Sequence, residues 1–552
     1  MNQGIELMNK GNVPEAIKAF QQAIKIDPRC SDGYHNLGIA QSENNLWDEA
    51  IHSFSSAIKL KSNNPEMYFN LGIAQLNLKK LPEAEVAFSR ATELNPYYIE
   101  AYFNLGVIYA DMKMLDEAIE HFCRAIELSP QFYEAYNNLG AVLRLNNQLD
   151  EAEDCLRRAI ELKPDYSKAY NNLGLVLQDN HCLEEATVCF RHSIELNPND
   201  PETYNNLALV LKDTDQLKEA EVCLCHAIEL RPGFMEAEFT LGYLYLLQEQ
   251  YEKGWGKYSE WSSFYEPMVK KNEGFQSDIP HWQGEDLTGR KILLFGDQGF
   301  GDTIQFLRYA DMVAILADET SIWAKKPLER LIASSIQSCS RHIDGSVPTI
   351  QYDFICPLSR LPYLFHTSKD SIPQKNPYIK SNAECVTAWH EKLNALDGGE
   401  PYRIGVVWAG NPKHENDRNR SVAFSMMEQL FEIHEVSWIS LQVGERAKDI
   451  SQTQHKIIDI SNGLVDFFET AGAIANLDLV ITIDSAVAHL AGAMGKETWL
   501  LLPRNPDWRW QLKREDSPWY PTMRIFRQQE AGKWQDVFTR VKDAIRKIDD
   551  NT

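Results

Sequence analysis

A period of 34 residues constrains this chain more than anything else in it. Glycine recurs at Gly4, Gly38, Gly72, Gly106, Gly140, Gly174 and Gly242, with Ala208 in the remaining place. Twelve residues after each of the first seven positions comes alanine: Ala16, Ala50, Ala84, Ala118, Ala152, Ala186 and Ala220. Proline stands 24 residues after most of them, at Pro28, Pro96, Pro130, Pro164, Pro198 and Pro232. Small residues let two helices of a unit approach closely, and the proline stops the second helix before the next unit begins. One such unit cannot bury its own apolar face, so the units must stack.

Several positions sharing one phase resemble the tetratricopeptide repeat over residues 1–250. The resemblance implies an α-solenoid superhelix whose inner groove is lined by the first helix of each unit. Seven units are clear, and an eighth, 235–265, loses the pattern after Gly242. Two residues before the glycine phase stand Asn36, Asn70, Asn104, Asn138, Asn172 and Asn206. Asparagine is a poor mid-helix residue. An amide both donates and accepts, so a ladder of amides suits an extended peptide backbone. A similar ladder lines the repeat groove of eukaryotic protein O-GlcNAc transferases. The alternative is that each amide bonds a neighbouring helix.

Charge narrows the partners. Of the net charge of −24, residues 1–250 carry −18, from 38 acidic and 20 basic side chains. An acidic first half argues against nucleic acid. No apolar stretch reaches the length of a membrane span, and the N-terminus, MNQGIELMNKGNVPEAIKAF, reads as an amphipathic helix rather than a signal peptide. The ten cysteines include no CxxC pair and read as buried small hydrophobes, with no metal site. A cytoplasmic location is expected.

Residues 251–290 break the period and bring Trp255, Trp261, Phe264, Tyr265 and Trp282 close together in sequence. They read as aromatic packing between the array and the next domain, with a carbohydrate-stacking platform as the alternative. Beyond them, apolar strands at 291–295, 319–324 and 352–358 alternate with helices, closing with a helix near 382–396. A second set has strands at 403–410, 436–442, 478–484, 497–503 and 523–528, with helices near 424–433, 464–476, 485–494 and 533–548. Buried strands alternating with helices imply parallel sheets. The fold class is therefore α plus α/β: a repeat solenoid over 1–250, a linker over 251–290, and two Rossmann-like lobes over 291–396 and 397–552.

The strand ends carry the chemistry. GDQGFGDTIQFLRYA (296–310) places Gly299, Gly301 and Asp302 between a strand and a helix, where backbone N–H groups can face a phosphate. WAGNPKHENDRNRS (408–421) supplies Asn411, Lys413, Arg418 and Arg420. Asp484 and Ser485 open a helix that also carries His489, and PRNPDWRW (503–510) is dense in rings and guanidinium groups.

Together these motifs resemble the heptosyltransferase-type glycosyltransferase family, of GT-B fold, over about 285–545. They look most like bacterial proteins that fuse repeats to such a domain, some of them flagellin glycosyltransferases. The resemblance implies a nucleotide-sugar donor, no obligatory metal or other cofactor, and transfer with inversion. It makes Asp302 the general base, with helix capping as the other reading. Gly299 and Gly301 would let the donor approach, while Arg420, Asp484 and Ser485 would meet its phosphates. Asn411 and Lys413 would be phosphate neighbours or solvated loop. His489 would bond a phosphate oxygen or pack under the loop, and Gln442 and Glu445 would contact the nucleoside. The acceptor is expected to be a protein held on the asparagine ladder, flagellin among the candidates. An adaptor with a degenerate transferase domain and a lipopolysaccharide sugar transferase are the alternatives.

Overall fold

The computed structural model describes residues 1–259, 279–339, 341–344, 352–399, 402–414, 416–433 and 436–549. Trp261, Phe264 and Tyr265 lie outside the described residues. The chain forms two compact units, Met1–Thr214 and Asp215–Thr552.

The first unit is helical throughout, a solenoid running from Asn2–Asn9 to Pro201–Asp213. Its core explains the period. A Cβ on Gly38 would lie 2.6 Å from Phe54, and one on Gly106 would lie 2.7 Å from Phe122. The same contact recurs between Gly4 and Phe20, Gly72 and Phe88, and Gly174 and Phe190. Glycine on the first helix is thus the socket for a ring 16 residues later, and the ring is buried. Leu156 fills this place opposite Gly140. In sequence, the residue 16 positions after Ala208, which replaces glycine in the seventh unit, is Leu224, so an added methyl coincides with a smaller knob. The link between the two helices of each unit holds one residue in the left-handed region, from Gly11 and Asn45 to Asp215 and Glu249, again 34 apart.

The second unit begins with helices of the same kind, Leu217–Leu230 and Met235–Leu247. A further helix spans 251–259. The repeat therefore does not end at Gly242, because the eighth unit has its second helix, with Gly254 in the alanine phase and Tyr258 in the knob phase. The aromatic residues described here are buried as packing: Trp255 is 1% and Trp282 is 4% exposed. Trp255 donates to the Thr367 carbonyl at 2.8 Å and meets Trp508 edge-on, with ring centroids 5.2 Å apart.

Two parallel sheets follow. The first comprises β1 (Lys291–Phe295), β2 (Glu319–Ala324), β3 (Arg341–Asp344) and β4 (Phe354–Pro357), in the order β3-β2-β1-β4. The second comprises β5 (Arg403–Val407), β6 (Ser437–Ser440), β7 (Ile458–Asp459), β8 (Leu479–Ile483), β9 (Thr498–Leu502) and β10 (Met523–Arg527). Its order is β10-β9-β8-β5-β6-β7, that of a doubly wound sheet whose direction of winding reverses between β5 and β8. In the first sheet the reversal falls between β1 and β4. The pairings between these strands are parallel, with Phe295 opposite both Trp323 and Pro357 and Val406 opposite Ile481. β1, β5, β8 and β9 are almost wholly apolar, as strands covered on both faces must be.

The short strands β3 and β7 carry too little apolar periodicity to stand out in the sequence. The helix expected near 424–433 is only one turn, Phe424–Met427. The chain then turns repeatedly, and the Ile433 carbonyl accepts the Trp438 indole N–H at 2.9 Å. Not all cysteines are buried. Cys182 is exposed at the start of the helix Leu183–Leu196, and Cys30, Cys123, Cys155, Cys189 and Cys225 are half-buried.

Candidate active site

In open parallel sheets, ligands sit at the carboxyl ends of the strands where the winding reverses. In the first sheet that point is the turn after β1, and it is tied shut by a carboxylate. Asp297 accepts the backbone N–H and the hydroxyl of Ser359, which follows β4. Burial pushes the Asp297 carboxyl up to about 6, against the Ser359 bonds that lower it. Asp297 has no sequence signal of its own, because an acid beside a glycine turn looks like a solvated loop.

The helix after the turn is Phe300–Phe306, with Gly299 as its cap residue. Asp302 is the third residue of this helix rather than its cap. Its carboxylate reaches back to the Gly299 N–H at 3.0 Å, the reciprocal half of a capping box. Its other oxygen holds the guanidinium of Arg509, from the loop after β9. Arg509 is 5% exposed; it also holds Asp507 at 2.8 Å and the side-chain oxygen of Gln305.

Gly301 packs against protein, not open space. A Cβ there would lie 2.6 Å from the ring of His489. Only glycine lets the helix Phe300–Phe306 press onto the helix Ala486–Ala493 of the second lobe. The space a side chain would take at Gly301 is therefore filled by His489. His489 itself is buried, with Nδ1 2.8 Å from the Tyr520 hydroxyl and Nε2 4.0 Å from Asp484. Burial lowers its pKa well below the usual value, helped by Arg509, Arg308 and Arg420, so the ring is neutral. Asp484 is pushed up to about 6 by burial and Asp507, while Arg420 and Arg509 oppose the shift. Ser485 caps the Ala486–Ala493 helix by position only. Its hydroxyl lies 3.1 Å from Thr482, leaving the first-turn N–H groups without a side-chain cap.

The loop after β5 divides the remaining residues. Arg420 is half-buried, 3.3 Å from Asp417, and a Cβ on Gly410 would lie 2.7 Å from its Nη2. Asn411 and Lys413 are exposed, and the Asn411 side chain accepts the Lys413 N–H in a local turn. Gln442 is only 3% exposed. Its oxygen takes the N–H groups of Trp408 and Ala409, and its amide donates to the carbonyls of Ala409 and Val443. Gln442 thus braces the loop after β5. Glu445 is exposed at the start of a 3-10 turn. The structure brings together Asp302, Gly301, Arg420, Asp484, Ser485 and His489. Asn411, Lys413 and Glu445 stay at the rim.

On the array, all six asparagines are half-buried. Asn172 and Asn206 donate to Asn137 and Asn171 of the preceding unit at 2.9 and 3.0 Å. Asn70 pairs with His35 at 2.9 Å, also one unit back. Asn104 donates to its own helix at Glu100, and Asn138 accepts from Asn137. Part of the ladder therefore ties successive first helices together. Among the described residues the Oδ1 atoms of Asn172 and Asn206 have no partner and remain as acceptors. No helix among the described residues is long and apolar enough to cross a membrane.

Comparison with known proteins bears on the array. Descriptions of the tetratricopeptide repeat match residues 4–45, 43–79, 65–98, 99–132, 133–166, 155–187 and 189–222. The chain is 25% identical over 320 residues to protein FlbA of Caulobacter vibrioides, covering 53% of this chain and 52% of FlbA. It thus spans about half the length of the curated relative it matches. The crystal structure of MamA is 30% identical, covering 30% of this chain and 98% of MamA, with a TM-score of 0.30. That of YrrB, described as a TPR protein with an unusual peptide-binding site, is 26% identical, covering 33% of this chain and 95% of YrrB, with a TM-score of 0.29. Residues 4–222 of this chain are tetratricopeptide repeats, an architecture suited to protein interaction.

Proposed function

We propose that the chain is a protein glycosyltransferase of GT-B type. The repeats capture a protein acceptor, and the two parallel-sheet lobes transfer to it a sugar from a nucleotide-sugar donor, with inversion. One observation carries this reading: the carboxyl ends of both sheets, at their reversal points, converge on one cluster. From the first lobe comes a carboxylate on a glycine-flanked helix, Asp302. From the second come an arginine, Arg420, and a helix start with uncapped N–H groups at Ser485. A departing nucleotide diphosphate calls for that cation and helix terminus, and an acceptor hydroxyl calls for that base.

Each residue has a task in this reading. Arg420 and the first-turn N–H groups after Ser485 take the charge that builds on the leaving phosphate. Neutral His489 holds the helix Phe300–Phe306 at a fixed distance through Gly301, which sets Asp302 against the donor side. Asp302 accepts the proton of the acceptor hydroxyl. A second reading, an adaptor with inactive lobes, has one observation in its favour: Asp302 already holds Arg509 and a helix N–H.

Calorimetry of the full chain with UDP, GDP, ADP and CMP separates the two. The transferase reading expects one of them to bind, and Arg420→Ala to weaken it roughly ten- to a hundredfold, the worth of a charge-assisted contact. An absence of binding by all four favours the adaptor.

A further inference from the structure

The knob position of the repeat is hydrocarbon in seven successive units: Phe20, Phe54, Phe88, Phe122, Leu156, Phe190 and Leu224. In the eighth it is Tyr258. The ring stays buried, 2% exposed, against Phe239, Trp255 and Trp508, with centroids 5.2 to 5.9 Å away. Packing alone is already satisfied by phenylalanine or leucine elsewhere in the array. What the eighth unit adds is a hydroxyl, at the place where the repeat meets the lobes.

Among the described residues that hydroxyl has two partners, both at the site. It donates to Gln298 in the glycine turn at 2.9 Å, and it accepts from Arg509 Nη2 at 3.4 Å. The same nitrogen holds Asp302. The guanidinium Nη2 carries two hydrogens, so one is aimed at the carboxylate and the other at the tyrosine. Burial pushes the Tyr258 pKa up to about 12, so the hydroxyl keeps its proton for Gln298 while its oxygen accepts from Arg509. Further contacts fix the same wall: Tyr251 accepts from Gln511 at 2.9 Å and Tyr243 donates to the Pro506 carbonyl at 3.3 Å.

We propose that Tyr258 is a positioning residue: the last repeat helix, through its hydroxyl, sets the direction of Arg509 and so the hold of Arg509 on Asp302. The terminal repeat helix is then part of the active site. This rests on the transferase reading, in which Asp302 is the base.

The test is Tyr258→Phe in the full chain, which restores the residue of five other units and keeps the ring. The kcat and the donor KM for the nucleotide sugar selected by the calorimetric panel are measured alongside the melting temperature. The expected result is an unchanged melting temperature, an unchanged donor KM and a kcat lower by roughly three- to tenfold as Arg509 loosens from Asp302. A variant with the wild-type kcat overturns the proposal and leaves the transferase reading standing. So does one whose melting temperature falls while its kcat stays the same, because Tyr258 is then packing alone. A wild-type chain that turns over no nucleotide sugar overturns both.

Discussion

The array and the lobes solve opposite problems. In residues 1–214 the same glycine–ring contact is repeated at a fixed separation of 16, so each unit is built from neighbours in sequence. In residues 215–552 the contacts that matter join distant parts of the chain. Asp302 meets Arg509, Gly301 meets His489, and Asp297 meets Ser359. Local repetition gives a surface that can be extended or shortened by whole units. Non-local closure gives one cluster of buried charges that exists only when both sheets are in place. In the proposed transferase, capture belongs to the first kind of structure and chemistry to the second.

The largest expected effect separates the two functions. Asp302→Asn keeps the size of the side chain and its bond to Gly299, while Arg509 keeps Asp507. Turnover should fall by about 10²- to 10⁴-fold, the usual worth of a positioned base, with nucleotide affinity nearly unchanged and the melting temperature modestly lower, because the amide NH2 cannot accept from Arg509. A variant that retains turnover but melts early makes Asp302 a helix residue only.

Next comes a pH dependence confined to the second unit. Folded Asp297 keeps its proton up to about pH 6, whereas the unfolded carboxyl releases it near 3.8. The folded state is therefore favoured at acid pH, and that advantage disappears as pH rises through 3.8 to 6. Asp297→Asn removes the dependence while offering Ser359 an oxygen. Urea unfolding should show little difference from wild type near pH 4 and a relative gain for the variant of about 3 kcal/mol at pH 7, at 1.36 kcal/mol per unit. An equal difference at both pH values would mean that the carboxyl is ionised throughout.

Gly106→Val should then damage the array alone. A side chain there meets Phe122 at 2.7 Å, and overpacking of this kind costs about 1–3 kcal/mol. Scanning calorimetry should show the transition of residues 1–214 lowered and nucleotide binding intact.

The smallest effects lie within the asparagine ladder. Asn172→Ala leaves the buried Asn137 oxygen without its donor and should cost about 1–3 kcal/mol. Asn104 bonds only its own helix, so Asn104→Ala should stay within about 0.5 kcal/mol of wild type. Equal costs at the two positions would show that the ladder is not divided between bracing and a free face.

How much was legible in the sequence follows the same division. The period, the parallel strands and the positions of the motifs could be read, because a repeated Gly–Ala–Pro phase and continuous apolar runs are local signals. The eighth repeat was lost at Gly242 because its alanine phase is Gly254 and its knob is Tyr258. The packing of Gly301 could not be read because its partner, His489, lies 188 residues on. Gln442 looked like a cleft residue from its place after a strand, yet its amide turns inward to Trp408 and Ala409. Arg509 stood inside a quoted loop without a role, since nothing local ties it to Asp302.

The most direct measurement is a calorimetric scan of the full chain with and without the saturating nucleotide of a UDP, GDP, ADP and CMP panel. The account expects one nucleotide to raise the transition of residues 215–552, by about 2.7 kcal/mol of added stability at a hundredfold excess over Kd, and to leave that of residues 1–214 where it was. No shift with any of the four, or a shift confined to the array, would contradict it.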